Sequence, residues 1–143
     1  MAVPAKFEQQ GISFSYPENW TEEVEASDSG WTVVIQSPGT AFLSLMLDES
    51  MAPPGELADA ALDAMQSEYP KLDAEPVVSN LAGRPAVGHD VGFFALDLTN
   101  TCRIRAASTA EGTLLILTQA TDIEETNLKV LEAICASLKI DDG

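Results

Sequence analysis

The stretch Gly11-Ile-Ser-Phe-Ser-Tyr-Pro-Glu-Asn-Trp20 decides the fold of this chain. Its apolar residues Ile12, Phe14 and Tyr16 alternate with serines, and this period of two is typical of a half-buried β-strand. Pro17 ends the strand, because a proline nitrogen has no hydrogen to donate to a neighbouring strand. The tryptophan that closes the stretch is expected to fold back onto the apolar face. The stretch therefore predicts architecture and supplies no reactive group.

The rest of the chain predicts a sheet of several strands. Alternating apolar residues indicate strands over 31–36 and 43–47, and the turn signal Ser37-Pro-Gly-Thr40 between them predicts a hairpin. Further strands are expected over 21–26, 74–80, 85–98, 101–109 and 113–120. In the last of these, apolar side chains point both ways, with Leu114 on one face and Leu115 on the other. This pattern predicts a central strand that is covered on both sides.

Two segments carry the apolar stripe of an amphipathic helix. Over 56–69 the stripe repeats every three or four residues, as Ala58, Ala61, Leu62, Met65 and Tyr69. Over 122–138 it consists of Leu128, Leu131, Ile134, Cys135 and Leu138. Together with the two-faced strand, these helices predict an α/β (α+β) fold, in which an antiparallel central sheet is flanked by helices on both faces. The length of 143 residues fits a single domain, 1–143.

The charge of the chain excludes several classes of partner. Acidic residues outnumber basic ones 23 to 7, which gives a formal net charge of −16. Such a surface repels phosphate backbones and anionic membranes, so we expect no nucleic-acid partner.

No apolar run reaches the roughly 18 residues of a spanning helix, so no membrane insertion is expected. The N-terminal residues lack a basic start followed by an apolar stretch, which predicts a cytoplasmic protein, or an exported one if a leader has been removed.

Three pieces of the sequence, in this order, resemble the PsbP/Mog-like superfamily. They are Ile12-Ser-Phe-Ser-Tyr-Pro-Glu-Asn-Trp20, then Leu81-Ala-Gly-Arg-Pro-Ala86 before a long strand, then a terminal helix ending in Ser137-Leu-Lys-Ile140. The resemblance covers nearly the whole chain and implies an antiparallel sheet sandwiched by helices. The superfamily includes extrinsic proteins of photosystem II, a nuclear import factor that binds the GTPase Ran, and many bacterial domains of unknown role. It has no shared catalytic motif, so the resemblance implies no catalytic residue.

The residues that could carry chemistry are few. His89 is the only histidine, which excludes a multi-histidine metal centre. If the turn after the long strand falls at Thr99 and Asn100, the histidine lies eight strand positions, or about 26 Å, from Cys102. Direct proton transfer needs about 3 Å, so a Cys–His catalyst is not expected. Cys102 and Cys135 are expected to be buried thiols, and the sequence predicts no enzyme, no metal and no cofactor.

Arg103 and Arg105 are the candidate contact residues for a partner. Their spacing of two places both on one face of a strand, where they form a basic spot that could take a partner's carboxylate. Alternatively, they balance the charge of Asp90 or of acids in the terminal helix. In the assumed register Arg105 lies opposite Phe94, and His89 is expected to pair with Asp90. Reversing both arginine charges is expected to leave folding intact and to abolish partner capture if the contact hypothesis holds.

These observations favour a non-enzymatic accessory or protein-interaction domain with an unknown protein partner. Its contact surface would be formed by exposed strands and sheet-edge loops. The alternative is a binding module for a small apolar molecule or a divalent ion, in a pocket between sheet and helix lined by Trp20, Trp31 and Phe42. The same aromatic residues also suit a plain hydrophobic core.

Overall fold

The computed structural model describes residues 4–95, 97–123 and 125–141. In chain order its elements are β1 (Ala5–Gln9), β2 (Ile12–Tyr16), β3 (Thr21–Ser27), β4 (Gly30–Gln36), β5 (Phe42–Asp48), α1 (Pro54–Glu68), β6 (Asp73–Leu81), β7 (Arg84–Ala95), β8 (Leu98–Ser108), β9 (Thr113–Thr121), α2 (Glu125–Ala136) and β10 (Lys139–Ile140). The strands form two antiparallel sheets. One is a seven-stranded sheet in the order β3-β4-β5-β9-β8-β7-β6, and the other is a three-stranded sheet in the order β1-β2-β10.

The seven-stranded sheet is covered on both faces, as predicted. On one face, which we call the α2 face, residues such as Leu45 and Ile116 pack under the three-stranded sheet and α2. On the other, the α1 face, Val91, Cys102 and Ile104 pack under α1. Because side chains alternate along a strand, β7, β8 and β9 contribute to both clusters. The α/β architecture with helices on both faces is therefore confirmed, and it is mostly sheet.

The hairpin predicted over 31–47 is confirmed. Strands β4 and β5 pair antiparallel with Val33 opposite Leu45, and both of these side chains are fully buried. The three-stranded sheet was not predicted as a separate layer. Strand β1 buries a single side chain, Phe7, and β10 has two residues, so neither carries a recognisable period of two. Gln10 and Gly11, at φ 53° and 80°, make the tight two-residue turn that joins β1 to β2.

The register predicted between the two long strands is wrong. Ala95 pairs with Leu98, so the chain reverses between these two residues and not at 99–100. Residue 96 itself lies outside the described residues, while Asp97 adopts the left-handed conformation at φ 62°. Thr99 and Asn100 instead begin β8, where the amide of Asn100 donates to the carbonyl of Leu98 at 3.1 Å. Two adjacent polar residues thus belong to a strand, where Thr99 pairs with Phe94 and Asn100 with Phe93 of β7.

The two edges of the seven-stranded sheet are polar or interrupted. Every residue of β3 is exposed, and the strand carries Glu22, Glu23 and Glu25. Strand β6 contains Pro76, which pairs opposite His89 and has no N–H to offer. Charges and proline are common devices that keep an edge strand from pairing with another chain. Among the described residues, no helix is long and apolar enough to cross a membrane.

Candidate functional site

A cleft opens on the α2 face, between α2 and the sheet. We call it the α2 cleft, and its volume is about 180 Å³. Its lining combines apolar and polar side chains, namely Asn80, Leu81, Thr101, Arg103, Arg105, Ile116, Thr118, Leu128, Leu131, Glu132 and Cys135. The two arginines predicted as partner contacts therefore share one concave site with the apolar stripe of the last helix.

The alternation of β8 places the arginines in this cleft. Cys102 and Ile104 are completely buried on the α1 face, so Arg103 and Arg105 must point to the α2 face. The third arginine of the chain, Arg84 of β7, pairs opposite Leu81 and is on the same face by register. All three arginines of a chain with net charge −16 thus lie on one sheet face. The arginine charges of an acidic chain are therefore concentrated on this face, which favours an anionic group there.

Arg105 is a fixed part of the sheet. Its guanidinium donates to Oδ1 of Asp90 at 2.7 Å, to the carbonyl of Ile104 at 2.9 Å and to the carbonyl of His89 at 3.3 Å. Only 17% of its side chain is exposed. A largely buried guanidinium with a charged partner is expensive to remove, since Asp90 would lose the cation that it is paired with. Reversing the charge of Arg105 would therefore damage the fold as well as any contact.

Gly88 makes the conformation of Arg105 possible. It lies opposite Arg105 in the β7–β8 pairing. A Cβ atom at position 88 would collide with the carbonyl oxygen of Ile104, the same oxygen that accepts from Arg105. The absence of a side chain at Gly88 thus allows the two strands to approach closely beside the guanidinium.

Arg103 is held much more loosely. Among the described residues, its side chain makes one polar contact, from Nη1 to Oε1 of Glu132 on α2 at 3.2 Å. The two side chains are 45% and 58% exposed. An exposed ion pair of this kind contributes about 0–1 kcal/mol to stability. Both arginines thus have local acidic partners, on β7 and on the terminal helix, and Arg103 is the one that can change partner at low cost.

Both cysteines carry thiols that resist ionisation. Burial raises the pKa of Cys102 to about 12, and its sulfur lies 3.6 Å from the sulfur of Met65. Burial also raises the pKa of Cys135, in the α2 cleft, to about 11, although Arg103 and Arg105 act in the opposite direction. Both cysteines are free; Cys102 is buried as predicted, whereas Cys135 is only partly buried. Thiols of this kind are poor nucleophiles, because the thiolate is the reactive form.

We expect native Cys135 to react with iodoacetamide at pH 8 about 100-fold more slowly than in the unfolded chain. A rise of its pKa from 9.0 to about 11 lowers the thiolate fraction by that factor. The rate should then increase about tenfold per pH unit up to pH about 11. Mass spectrometry of peptides labelled with and without denaturant measures both rates, and Cys102→Ala leaves a single thiol to follow. Fast labelling of native Cys135 at pH 8 would contradict its burial.

His89 lies nearer to Cys102 than the assumed register indicated. It pairs opposite Ile104, so the separation of about 26 Å is wrong, and the two residues are diagonal neighbours on the α1 face, roughly 7–8 Å apart. This distance still exceeds the reach of direct proton transfer. The expected pairing with Asp90 is also wrong, because adjacent strand residues point to opposite faces. Nε2 of His89 instead lies 2.9 Å from Oδ1 of Asp59 on α1.

The three aromatic residues proposed as a pocket lining do not come together. Trp20 and Trp31 belong to the core on the α2 face, with 6% and 2% of their surface exposed. Phe42 pairs opposite Gln36, and the alternation of β4 and β5 puts it on the α1 face of the sheet. Trp31 and Phe42 are therefore separated by the sheet itself. Within residues 4–95, 97–123 and 125–141, no three His, Cys, Asp or Glu side chains are grouped as metal ligands would be.

Solved structures share this fold at low sequence identity. The solution structure of cyanobacterial PsbP (CyanoP) from Synechocystis sp. PCC 6803 has a TM-score of 0.65 at 13% identity, over 99% of this chain and 94% of that one. A crystal structure from Bacteroides thetaiotaomicron VPI-5482 has a TM-score of 0.62 at 14% identity over 96% of this chain, which spans 48% of that chain. LpqN of Mycobacterium tuberculosis, described as involved in cell envelope biogenesis, has a TM-score of 0.52 at 14% identity, over 97% and 86% of the two chains.

No protein-family model matches the sequence, and no curated protein matches it by sequence. The likeness to solved structures therefore concerns the arrangement of sheets and helices. It extends over almost the full described chain in the comparison with cyanobacterial PsbP. The resemblance found in the three sequence pieces is confirmed at this level, and the chain has the PsbP-like fold.

Proposed function

We propose that this chain is a non-enzymatic accessory domain that acts by binding a partner protein in the α2 cleft. The observation that carries the proposal is the meeting of Arg103 with the apolar stripe of α2 in one concave, solvent-open site. Apolar walls with a few placed polar groups are typical of binding sites, and arginine is enriched at protein interfaces. The edges of the sheet are less suited to binding, because β3 is acidic and β6 contains Pro76.

The size of the cleft favours part of a protein chain over a free small molecule. Pockets for drug-sized ligands are roughly 300–1,000 Å³, whereas the α2 cleft has about 180 Å³. This space suits one side chain or one terminal residue whose binding is supported by contacts outside the cleft. The alternative module for a small apolar ligand or a divalent ion has weaker support, since Trp31 and Phe42 are on opposite faces of the sheet.

The raised pKa values of both thiols support a non-enzymatic role, because neither cysteine is prepared to act as a nucleophile. The structural neighbours include cyanobacterial PsbP and a protein described as involved in cell envelope biogenesis, and neither description names an enzymatic activity. The cytoplasmic location and the single-domain organisation of residues 1–143 stay predictions.

Arg103→Glu is expected to reduce partner capture more than tenfold, because it places a carboxylate beside Glu132 and removes the charge that recognises the partner. The tagged protein is incubated with extract of the native host, and captured proteins are quantified by mass spectrometry. The strongest candidate is then purified and its direct binding measured. Arg103 is preferred to Arg105 because it is half exposed and weakly held, so its replacement should leave the fold intact.

Lys71→Glu is the matched control. It makes the same change in charge at an exposed residue outside the cleft. Circular dichroism and thermal unfolding confirm that both variants fold. Equal capture of every protein by wild type, Arg103→Glu and Lys71→Glu would refute a role for the cleft in partner binding.

A further inference from the structure

We propose that the α2 cleft takes the C-terminal residue of a partner chain, whose carboxylate binds Arg103 and whose apolar side chain packs against α2. This inference rests on the proposed function and names the chemical group that the cleft recognises. Three features of the cleft lead to it: a carboxylate that is already bound at Arg103, an apolar wall next to it, and a volume close to that of one residue.

The first feature is the carboxylate of Glu132. Its Oε1 lies 3.2 Å from Nη1 of Arg103, in a pair with both side chains about half exposed. This single contact is weak, whereas a carboxylate that meets a guanidinium through two parallel N–H bonds is bound more strongly. An incoming carboxylate can therefore replace Glu132 at Arg103. In the free protein Glu132 occupies the position of the ligand's carboxylate and competes with it.

The second feature is the apolar wall beside the arginine. Leu128 of α2 is partly exposed in the cleft, while Leu131 and Ile116, which also line it, are each 3% exposed. A small inorganic anion would leave Leu128 in contact with water, and a purely apolar ligand would leave Arg103 with Glu132 alone. The complementary ligand carries a carboxylate and an apolar side chain on neighbouring atoms.

The third feature is size, combined with the charge of the chain. A volume of about 180 Å³ is well below the roughly 300–1,000 Å³ of pockets for drug-sized ligands. A C-terminal residue carries its carboxylate and its side chain on one Cα atom and so presents both groups within a small volume. An internal acidic residue would need a second residue for the apolar contact. A long acidic peptide would also be repelled by a protein of net charge −16.

The test uses two peptides that differ in one group. N-acetyl-Gly-Ala-Leu with a free carboxylate and the same peptide with a C-terminal amide are titrated into the full, nitrogen-15-labelled chain and followed by NMR. The acid is expected to shift the side-chain signal of Arg103 and the backbone amides of Leu128 and Glu132, with a dissociation constant in the millimolar range. The amide is expected to bind at least about tenfold more weakly, since it cannot form the charge-assisted pair.

Three variants complete the experiment. Glu132→Gln is expected to raise the affinity for the acid by up to about fivefold, because it removes the competing carboxylate. Arg103→Gln is expected to lower it at least about tenfold, and Lys71→Gln, which removes a charge outside the cleft, should leave it unchanged.

Equal binding of the acid and the amide, or no shift with either, would overturn the inference. Unchanged affinity in Arg103→Gln or in Glu132→Gln would also overturn it. If partner capture depends on Arg103 but neither peptide binds, the cleft does not recognise a C-terminal carboxylate. The proposed function in partner binding would still be supported by that result.

Discussion

Replacing Trp31 by alanine is expected to lower the free energy of unfolding by about 3–5 kcal/mol. Trp31 lies in the core on the α2 face, where 2% of its surface is exposed. Its ring packs 5.4 Å from that of Phe7, and its indole N–H donates to Oε1 of Gln10 at 2.9 Å. It therefore holds the β1–β2 hairpin against the seven-stranded sheet. Its removal leaves a large cavity between the sheets and removes the hydrogen bond to Gln10.

Urea unfolding followed by circular dichroism measures this loss, with the midpoint shift converted through a common slope. Phe42→Ala is the comparison. Phe42 is also an aromatic residue that was proposed to line the pocket, but it is half buried and lies on the opposite face of the sheet. Its loss should cost about 1–2 kcal/mol. If Trp31→Ala cost no more than Phe42→Ala, the assignment of Trp31 to the core would be wrong.

Gly88→Ala is expected to destabilise the protein by about 2–3 kcal/mol, although it adds a single methyl group. The new Cβ would overlap the carbonyl oxygen of Ile104, a backbone atom of the neighbouring strand that cannot rotate away. Separating β7 from β8 to relieve the overlap would also disturb the hydrogen bonds from Arg105 to Asp90 and to the carbonyl of His89, both on β7. Thermal unfolding should therefore show a fall in melting temperature of several degrees.

Gly92→Ala provides a control within the same strand. A Cβ atom at Gly92 would meet its nearest neighbour, the carbonyl oxygen of Asn100, at 3.9 Å, which is ordinary van der Waals contact. Since alanine restricts the unfolded chain more than glycine does, this change should stabilise the protein by about 0.4–1 kcal/mol or be neutral. Equal losses in Gly88→Ala and Gly92→Ala would show that strand flexibility, and not the close approach to Ile104, explains the effect.

The periodicity of the sequence predicts the elements well and the geometry between them poorly. Apolar alternation predicts β4 and β5, a continuous apolar run predicts β9, and three- to four-residue spacing predicts α1 and α2, because burial on one face or on both imposes these patterns directly. The same signal cannot fix a register when polar residues are buried in a strand, as Asn100 is in β8. The turn between β7 and β8 was therefore predicted at the wrong position, and the residues predicted to lie opposite His89 and Arg105 were wrong.

The candidate site was predictable in part. The spacing of Arg103 and Arg105 correctly indicates one strand face, since alternation is a local property. Their partners, Glu132 and Asp90, were named only as a group of possible acids, because the distance between a strand and a helix depends on the packing of the whole fold. Gly88 offers a signal that could have been used, as an isolated glycine inside a strand pattern suggests close approach of another backbone.

The acidic β3 and the proline of β6 have a consequence for how the protein behaves in concentrated solution. Growth of ordered fibrils begins when an exposed strand recruits an identical strand from a second molecule. In β3, Glu22, Glu23 and Glu25 would bring like charges together in such a stack, and in β6 Pro76 would interrupt its ladder of hydrogen bonds. We therefore expect the folded protein to stay free of fibrils during prolonged storage at high concentration, even though most of its fold is β-sheet.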